Sequence, residues 1–286
     1  MKALSRISGV SLATVGALIF IGAPAQARHF EKHFPVTSKP VITVRNPSGN
    51  IQVKAWNKPE VMIATDYASD KLQIASEQAG DRIEVETQIV GQNPSADELK
   101  ANYVVSVPEE AELQVRTDSG DVNVDSVHGN MTFDTVGANL QLSDVEGYVI
   151  IKSIDGSLVC TRCAGSLDAT SISGSFQLIQ PSMDSVRVQT SSGNILFDGN
   201  FLRRGIYILK NYSGTIEVRF SPSDSFDVTA NSLYGKVYNE APVKPDLHGN
   251  TRPPRYSNAL FGSVNEGNAK VELSSFSGTI KILKRD

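Results

Sequence analysis

The sequence predicts an all-β protein: a parallel β-solenoid-like stack of Gly-centred repeats with an antiparallel β N-terminal section. Three observations predict it. The first is a recurring phrase: Ser-Gly-Asn-Ile-Gln-Val at 48–53, Ser-Gly-Asp-Val-Asn-Val at 119–124, Ser-Gly-Ser-Phe-Gln-Leu at 173–178, Ser-Gly-Asn-Ile-Leu-Phe at 192–197, Ser-Gly-Thr-Ile-Glu-Val at 213–218 and Ser-Gly-Thr-Ile-Lys-Ile at 277–282. The second is alternation. Two and four residues after the glycine stand Val122 and Val124, Val149 and Ile151, Phe176 and Leu178, Ile195 and Phe197, and Ile216 and Val218. Asn123, Gln177 and Glu217 lie between them, and period two with one apolar side describes a strand burying one face. The third is spacing. Repeat glycines fall at 120, 129, 137, 147, 156, 165 and 174, then at 193, 214 and 235, so the early step of 8 to 10 doubles to 19 to 21. A coil of about two repeats per turn explains both steps, its turns stacked by parallel pairing about 4.8 Å apart. An antiparallel sandwich also gives short alternating strands. The likeness of the repeats and the lack of Asn-Gly hairpin signals between them favour the coil.

The elements follow in order. Residues 1–27 have the form of a secretory signal peptide: Lys2 and Arg6, an apolar run from Val10 to Ala23, then Ala25-Gln26-Ala27, with cleavage expected between Ala27 and Arg28. The run is short for a membrane span and stops at Pro24. The mature chain is expected to be periplasmic or secreted, with no membrane span.

Residues 28–116 form the N-terminal section, with strands expected at 41–45, 50–55, 60–66, 82–90, 102–107 and 111–116 and a polar loop at 91–101. Its short turns suit antiparallel pairing, and it is expected to cover the first coil so that no open edge is exposed. Residues 117–286 form the solenoid. At Gly137 the apolar pair Leu140 and Leu142 sits one residue late, which suggests a bulge or a longer corner. A loop insertion occupies 239–262, where the repeat rhythm is lost.

Cys160-Thr-Arg-Cys163 admits three readings: a structural disulfide suited to an oxidising compartment, a redox pair, or part of a metal site. A redox motif of this spacing normally opens a helix, and these cysteines lie among strands. A metal site needs further ligands, and His29, His33, His128 and His248 are scattered along the sequence. A structural pair or plain thiols is the expectation, a disulfide between Cys160 and Cys163 being possible, with no metal and no cofactor.

These residues resemble the bacterial DUF4097 family of adhesin-like β-strand-repeat proteins, also described as the toastrack domain. The resemblance runs in order through Asn46-Pro47-Ser48-Gly49-Asn50-Ile51-Gln52-Val53, Trp56-Asn57-Lys58-Pro59-Glu60-Val61 and Tyr103-Val104-Val105-Ser106-Val107-Pro108, then through the repeats, and spans nearly all of 36–286. It implies an extracytoplasmic scaffold and supplies no catalytic residues. The segment 239–260 departs from the family's rhythm.

The whole chain carries a net charge of -4, and residues 1–27 contain two cations and no anions, so the remainder is more acidic still. Such a chain gives no electrostatic case for nucleic acid or anionic lipid. It has no Gly-x-Ser-x-Gly elbow, His-Glu-x-x-His motif or phosphate loop. Asp118, Asp121, Asp125, Asp134, Asp144, Glu146 and Asp155 in the early repeats raise two alternatives, a calcium-dependent adhesion module and a β-helix polysaccharide-acting enzyme. The expected function is a non-catalytic scaffold binding another cell-envelope protein or a glycan. The candidate binding residues are Arg252, Arg255 and Tyr256, because long loops on rigid scaffolds often carry binding and Arg and Tyr make good anchors.

Overall fold

The structure, a computed structural model, describes residues 28–244 and 258–285. The expected signal segment lies outside the described residues, as do Arg252, Arg255 and Tyr256. Among the described residues there are twenty-two strands and no helix. They are β1 (Arg28–Pro35), β2 (Val41–Ser48), β3 (Ile51–Trp56), β4 (Glu60–Tyr67), β5 (Leu72–Ala79), β6 (Arg82–Ile89), β7 (Ala101–Pro108), β8 (Glu112–Asp125), β9 (Met131–Ser143), β10 (Glu146–Ser153) and β11 (Ser157–Thr161). There follow β12 (Ala164–Ser171), β13 (Ser175–Ile179), β14 (Ser182–Thr190), β15 (Ile195–Asp198), β16 (Ile206–Asn211), β17 (Thr215–Phe220), β18 (Phe226–Ser232), β19 (Lys236–Asn239), β20 (Ala259–Val264), β21 (Ala269–Ser275) and β22 (Thr279–Lys284).

The chain winds between two facing sheets. One runs β5-β6-β2-β8-β9-β10-β12-β14-β16-β21-β18-β20. The other runs β1-β4-β7-β3-β8-β9-β11-β13-β15-β17-β22-β19. The long strands β8 and β9 bend through a corner and belong to both. Pairing within the stack is parallel. A turn is 18 residues where Leu113 pairs Met131, 19 where Leu167 pairs Val186, and 21 where Val186 pairs Tyr207.

Alternation makes this stack possible. Inward side chains such as Leu113, Met131, Val149 and Leu167 of one sheet face Val122, Leu140, Leu158 and Phe176 of the other, all buried. Each such side chain contributes about 1.5–3 kcal/mol on leaving water.

Both ends depart from sequential stacking. At the start, β2 is flanked by β6 and β8, and β3 by β7 and β8. The expected boundary at residue 116 falls within β8, and the strands of 28–116 pair both ways: β6, β2, β3 and β7 join the parallel stack, while β4 pairs antiparallel with β7 and β1, and β5 with β6. At the far end, β21 and β22 insert between the β16/β17 turn and the β18/β19 turn. The even glycine spacing suggested that Gly235 stacks on Gly214. It does not: Gly278 lies between them, its ideal Cβ 2.2 Å from the Gly214 carbonyl oxygen, while that of Gly235 meets Gly278. β20 returns antiparallel along β18 and covers that edge.

The bulge expected at Gly137 is also absent. Gly120 pairs with Ala138 in an unbroken register, so Ala138 holds the corner position and Gly137 merely precedes it. The register shift falls instead at Gly165/Ser166, opposite Met183. Met183 takes the place of a second glycine column, Gly129, Gly147 and Gly165, at the other side of the coil. Its loss there explains why the glycine step doubles.

Candidate binding surface

The column at Gly49, Gly120, Ala138, Gly156, Gly174, Gly193, Gly214, Gly278 and Gly235 marks a tight corner. Three residues before each stands a small hydrogen-bonding side chain: Asn46, Thr117, Thr135, Ser153, Ser171, Thr190, Asn211, Ser275 and Ser232. All but Ser153 are buried. Most of them serve main-chain groups that the corner takes from the ladder, while Thr135 Oγ1 donates to Ser153 Oγ at 3.0 Å. Ser232 Oγ donates to the Gly278 carbonyl at 2.6 Å and accepts from the Gly235 N–H at 3.1 Å. Thr190 Oγ1 donates to the Gly174 carbonyl at 3.1 Å, and Asn46 Nδ2 donates to the Ala101 carbonyl at 2.8 Å. Buried polar groups left unpaired would each cost about 1–3 kcal/mol, which accounts for the column. The signature, Asn, Ser or Thr three residues before the glycine, is present in the sequence, but strand periodicity does not reveal it.

One residue further on, the chain turns outward. The side chains there are Pro47, Asp118, Val136, Ile154, Ile172, Ser191, Tyr212, Phe276 and Leu233, in stack order. Ile172 is 58% exposed and Tyr212 56%, and Tyr234 beside Leu233 is 73% exposed. Tyr212 and Phe276 stack with centroids 4.3 Å apart, and Tyr234 meets Phe276 edge-on at 5.0 Å. The inserted β21–β22 turn creates this aromatic group by placing Phe276 between tyrosines from two other turns. An apolar ridge thus runs along one outer edge of the stack.

The opposite corner is built differently. Ser126, Asp144, Arg162 and Gln180 all adopt positive φ, between 50° and 59°, one turn apart. This left-handed residue turns the chain so that the next one, Val127, Val145, Cys163 or Pro181, points inward. In one turn the inward residues are Cys160 and Cys163, both buried, with sulfurs 2.01 Å apart and Cα atoms 6.0 Å apart. Neighbouring turns place Val124 and Val127, or Leu142 and Val145, at the same positions. Asp144 accepts from the Arg162 guanidinium one turn away, which lowers its pKa.

The acidic residues of the early repeats are spread over separate outer columns. Asp121 accepts from Asn139 at 3.1 Å, and Asp144 is engaged by Arg162. Among the described residues no three His, Cys, Asp or Glu side chains are grouped to hold a metal ion. His29 and His33, scattered in sequence terms, share one face of β1 with Glu31. His29 Nδ1 lies 2.7 Å from Asp66 Oδ1, and His33 Nδ1 lies 3.3 Å from Glu60 Oε2. The Asp66 and Glu31 bonds raise the His29 pKa, and those from His33 and His29 lower that of Glu31. These contacts tie β1 to β4.

The flanks of the expected binding segment sit at the far end of the stack. Glu240 accepts from the Lys284 N–H at 3.1 Å, and Lys244 bridges antiparallel to Ser263. Its Arg252, Arg255 and Tyr256 are outside the described residues.

The two-sheet coil, its glycine corner and its capped ends extend over nearly the whole chain, and the Toastrack DUF4097 family model matches residues 33–283. The chain belongs to the Toastrack DUF4097 family. No curated protein matches it. Similar solved structures include a candidate adhesin from Bacteroides fragilis NCTC 9343, at 10% identity over 90% of this chain and 97% of that one, TM-score 0.46. Another is a candidate adhesin from Parabacteroides merdae ATCC 43184, at 8% identity over 90% of this chain and 96% of that one, TM-score 0.42. Among the described residues of this Toastrack chain, no helix is long and apolar enough to cross a membrane.

Proposed function

We propose that the chain is an exported, non-catalytic β-repeat scaffold that binds a component of the cell envelope, protein or glycan. The observation that carries this reading is the continuity of the stack. Outward side chains recur in straight columns at one-turn spacing from β2 to β19, held by parallel pairing on both sides. A stiff repetitive surface suits contact with an extended partner. Export rests on residues 1–27 with cleavage between Ala27 and Arg28, and an oxidising destination suits a Cys160–Cys163 disulfide. Arg252, Arg255 and Tyr256, which lie outside the described residues, are the proposed binding residues.

The test is crosslinking in the native cells followed by mass spectrometry of attached partners. A reproducible envelope component joined to this chain supports the reading. Crosslinks confined to the chain, together with turnover of an envelope glycan by the purified protein, would replace it with an enzymatic one.

A further inference from the structure

We propose that β1 is a pH-sensitive strap: a row of alternating histidines and carboxylates holds it against β4 in mildly acidic surroundings and lets it open more often as the surroundings become alkaline. This goes beyond the scaffold reading and does not depend on it.

Little else holds β1. It is the last strand of its sheet, paired with β4 along one edge, and Phe34 is its one buried side chain. Segments with few buried contacts open locally at low cost, so small interactions decide how often they do. Here those interactions form a continuous row on the solvent face. His29 Nδ1 lies 2.7 Å from Asp66 Oδ1, and His29 Nε2 lies 3.4 Å from Glu31 Oε2. His33 Nε2 lies 3.3 Å from Glu31 Oε1, and His33 Nδ1 lies 3.3 Å from Glu60 Oε2. Lys58 Nζ ends the row, 3.5 Å from Glu60 Oε1.

Both nitrogens of both rings therefore face carboxylate oxygens. Only an imidazolium donates from both nitrogens, and a neutral ring turns one lone pair toward an oxygen. The arrangement fits the protonated rings. Once the rings are neutral, Asp66, Glu31 and Glu60 are left with Lys58 as the cation of the row. The remaining charged groups of the packed strands point elsewhere. Arg28 and Lys32 alternate onto the other face of β1, where Lys32 Nζ donates to Ser76 Oγ of β5 at 3.1 Å and Tyr67 of β4 stands opposite Arg28. Glu77 of β5 alternates onto the far face of its own strand. Beyond β4, β7 presents Asn102, Val104 and Ser106 beside the row, all uncharged. Cleavage between Ala27 and Arg28 would add an α-amino group, which ordinarily titrates near pH 8.

The direction follows from the same contacts. The bonds from Asp66 and then Glu31 raise the His29 pKa. Its contribution is complete below the ordinary histidine value of about 6.5 and is lost as pH rises through the higher folded value. The bonds from His33 and then His29 lower the Glu31 pKa. Its contribution is complete above the ordinary glutamate value of about 4.3 and is lost as pH falls through the lower folded value. The strap is tightest between those limits. Its opening uncovers the Glu60–Tyr67 edge of β4, an unpaired row of main-chain groups of the kind that templates pairing with another strand.

The experiment is hydrogen–deuterium exchange of the purified protein in EDTA, followed by mass spectrometry. Protection is taken relative to the intrinsic exchange rate at each pH, so the pH dependence of the exchange chemistry divides out. Between about pH 5.5 and about pH 8, protection of Arg28–Pro35 should fall at least about threefold, the scale of a few exposed ion pairs. Protection of Met131–Ser143 in β9 should not change. Salt at about 1 M should shrink the β1 response by screening. His29→Gln combined with His33→Gln keeps amide hydrogen bonding, removes the titration and should flatten the response, although any α-amino group remains. Lys32→Gln, on the other face of the strand, should retain it, and β9 protection reports whether each variant is folded. The proposal is overturned by β1 protection that does not vary with pH, by a response shared equally by β9, or by a response that survives in the double histidine variant.

Discussion

Replacing Gly156 by alanine tests the corner most directly. Gly156 has φ +109°, and a Cβ built on it lies 2.2 Å from the Ala138 carbonyl oxygen of the turn below. Real Cβ atoms essentially never come within 3.0 Å of such an atom, so the two turns must part locally. The bonds at risk are Ser175 N–H to the Gly156 carbonyl at 3.2 Å and Ser157 N–H to Asn139 Oδ1 at 3.3 Å. They are already long, and each contributes about 1 kcal/mol. The unfavourable φ adds about 1–3 kcal/mol for a residue with a Cβ. The expected loss is therefore about 3–5 kcal/mol, a large part of the 5–15 kcal/mol typical of a folded domain. Gly137→Ala is the matched control at the neighbouring turn. Its φ lies outside the positive range, and its nearest neighbour is the Asp118 carbonyl oxygen at 3.8 Å. That change should be neutral, or stabilise by up to about 1 kcal/mol through the unfolded chain. Guanidinium unfolding followed by circular dichroism reads both, with slopes compared so that a change in midpoint reports stability. Losses that agree within about 0.5 kcal/mol would refute the steric account of the glycine column.

Three further outcomes are expected. Ser232→Ala strands the Gly235 N–H and the Gly278 carbonyl in a buried corner and should cost about 2–4 kcal/mol; a midpoint unchanged in urea would count against the polar column. Burial pushes the Tyr103 and Tyr207 phenols up to about 12. Because these pKa values are raised above the unfolded value near 10, the folded state holds its protons longer. Their stabilisation is complete below about pH 10 and lost by about pH 12, at about 3 kcal/mol per phenol. Absorbance at the phenolate band should show these two groups ionising together with unfolding, and ionisation of all eight tyrosines before unfolding would contradict it. Reducing Cys160–Cys163 should cost about 2 kcal/mol because the closed loop is short. Cys160→Val with Cys163→Val should fold normally, since Val124 and Val127 fill the same positions two turns away. A double variant that fails to fold would show that the bond, not the packing, holds that corner.

The glycine phrase and its alternation were enough to place most strands within a few residues. Six strands expected between residues 41 and 116 correspond to β2, β3, β4, β6, β7 and the first half of β8. β1 and β5 escaped notice because each buries few side chains: Phe34 is buried in β1 and Leu72 in β5, and most of their remaining residues are exposed. A strand at the margin of a sheet carries little hydrophobic pattern. The left-handed corner at Ser126, Asp144, Arg162 and Gln180 also left no trace, because four unlike side chains adopt one conformation imposed by the ladders on either side.

The sequence by itself determined that strands form, which face of each is buried, and that a turn takes two repeats. Those properties are local, set by period two and by glycine where a Cβ would strike the turn below. The tertiary structure alone decided which turn lies on which. Gly235 and Gly278 carry interchangeable corners, so nothing local ranks them. β21 pairs on both edges only when it lies between β16 and β18, with β20 covering the edge beyond. The same insertion assembles Tyr212, Phe276 and Tyr234 into one aromatic group. Residues spread over some sixty positions become neighbours because backbone pairing, which is blind to side chains, sets the order of the stack.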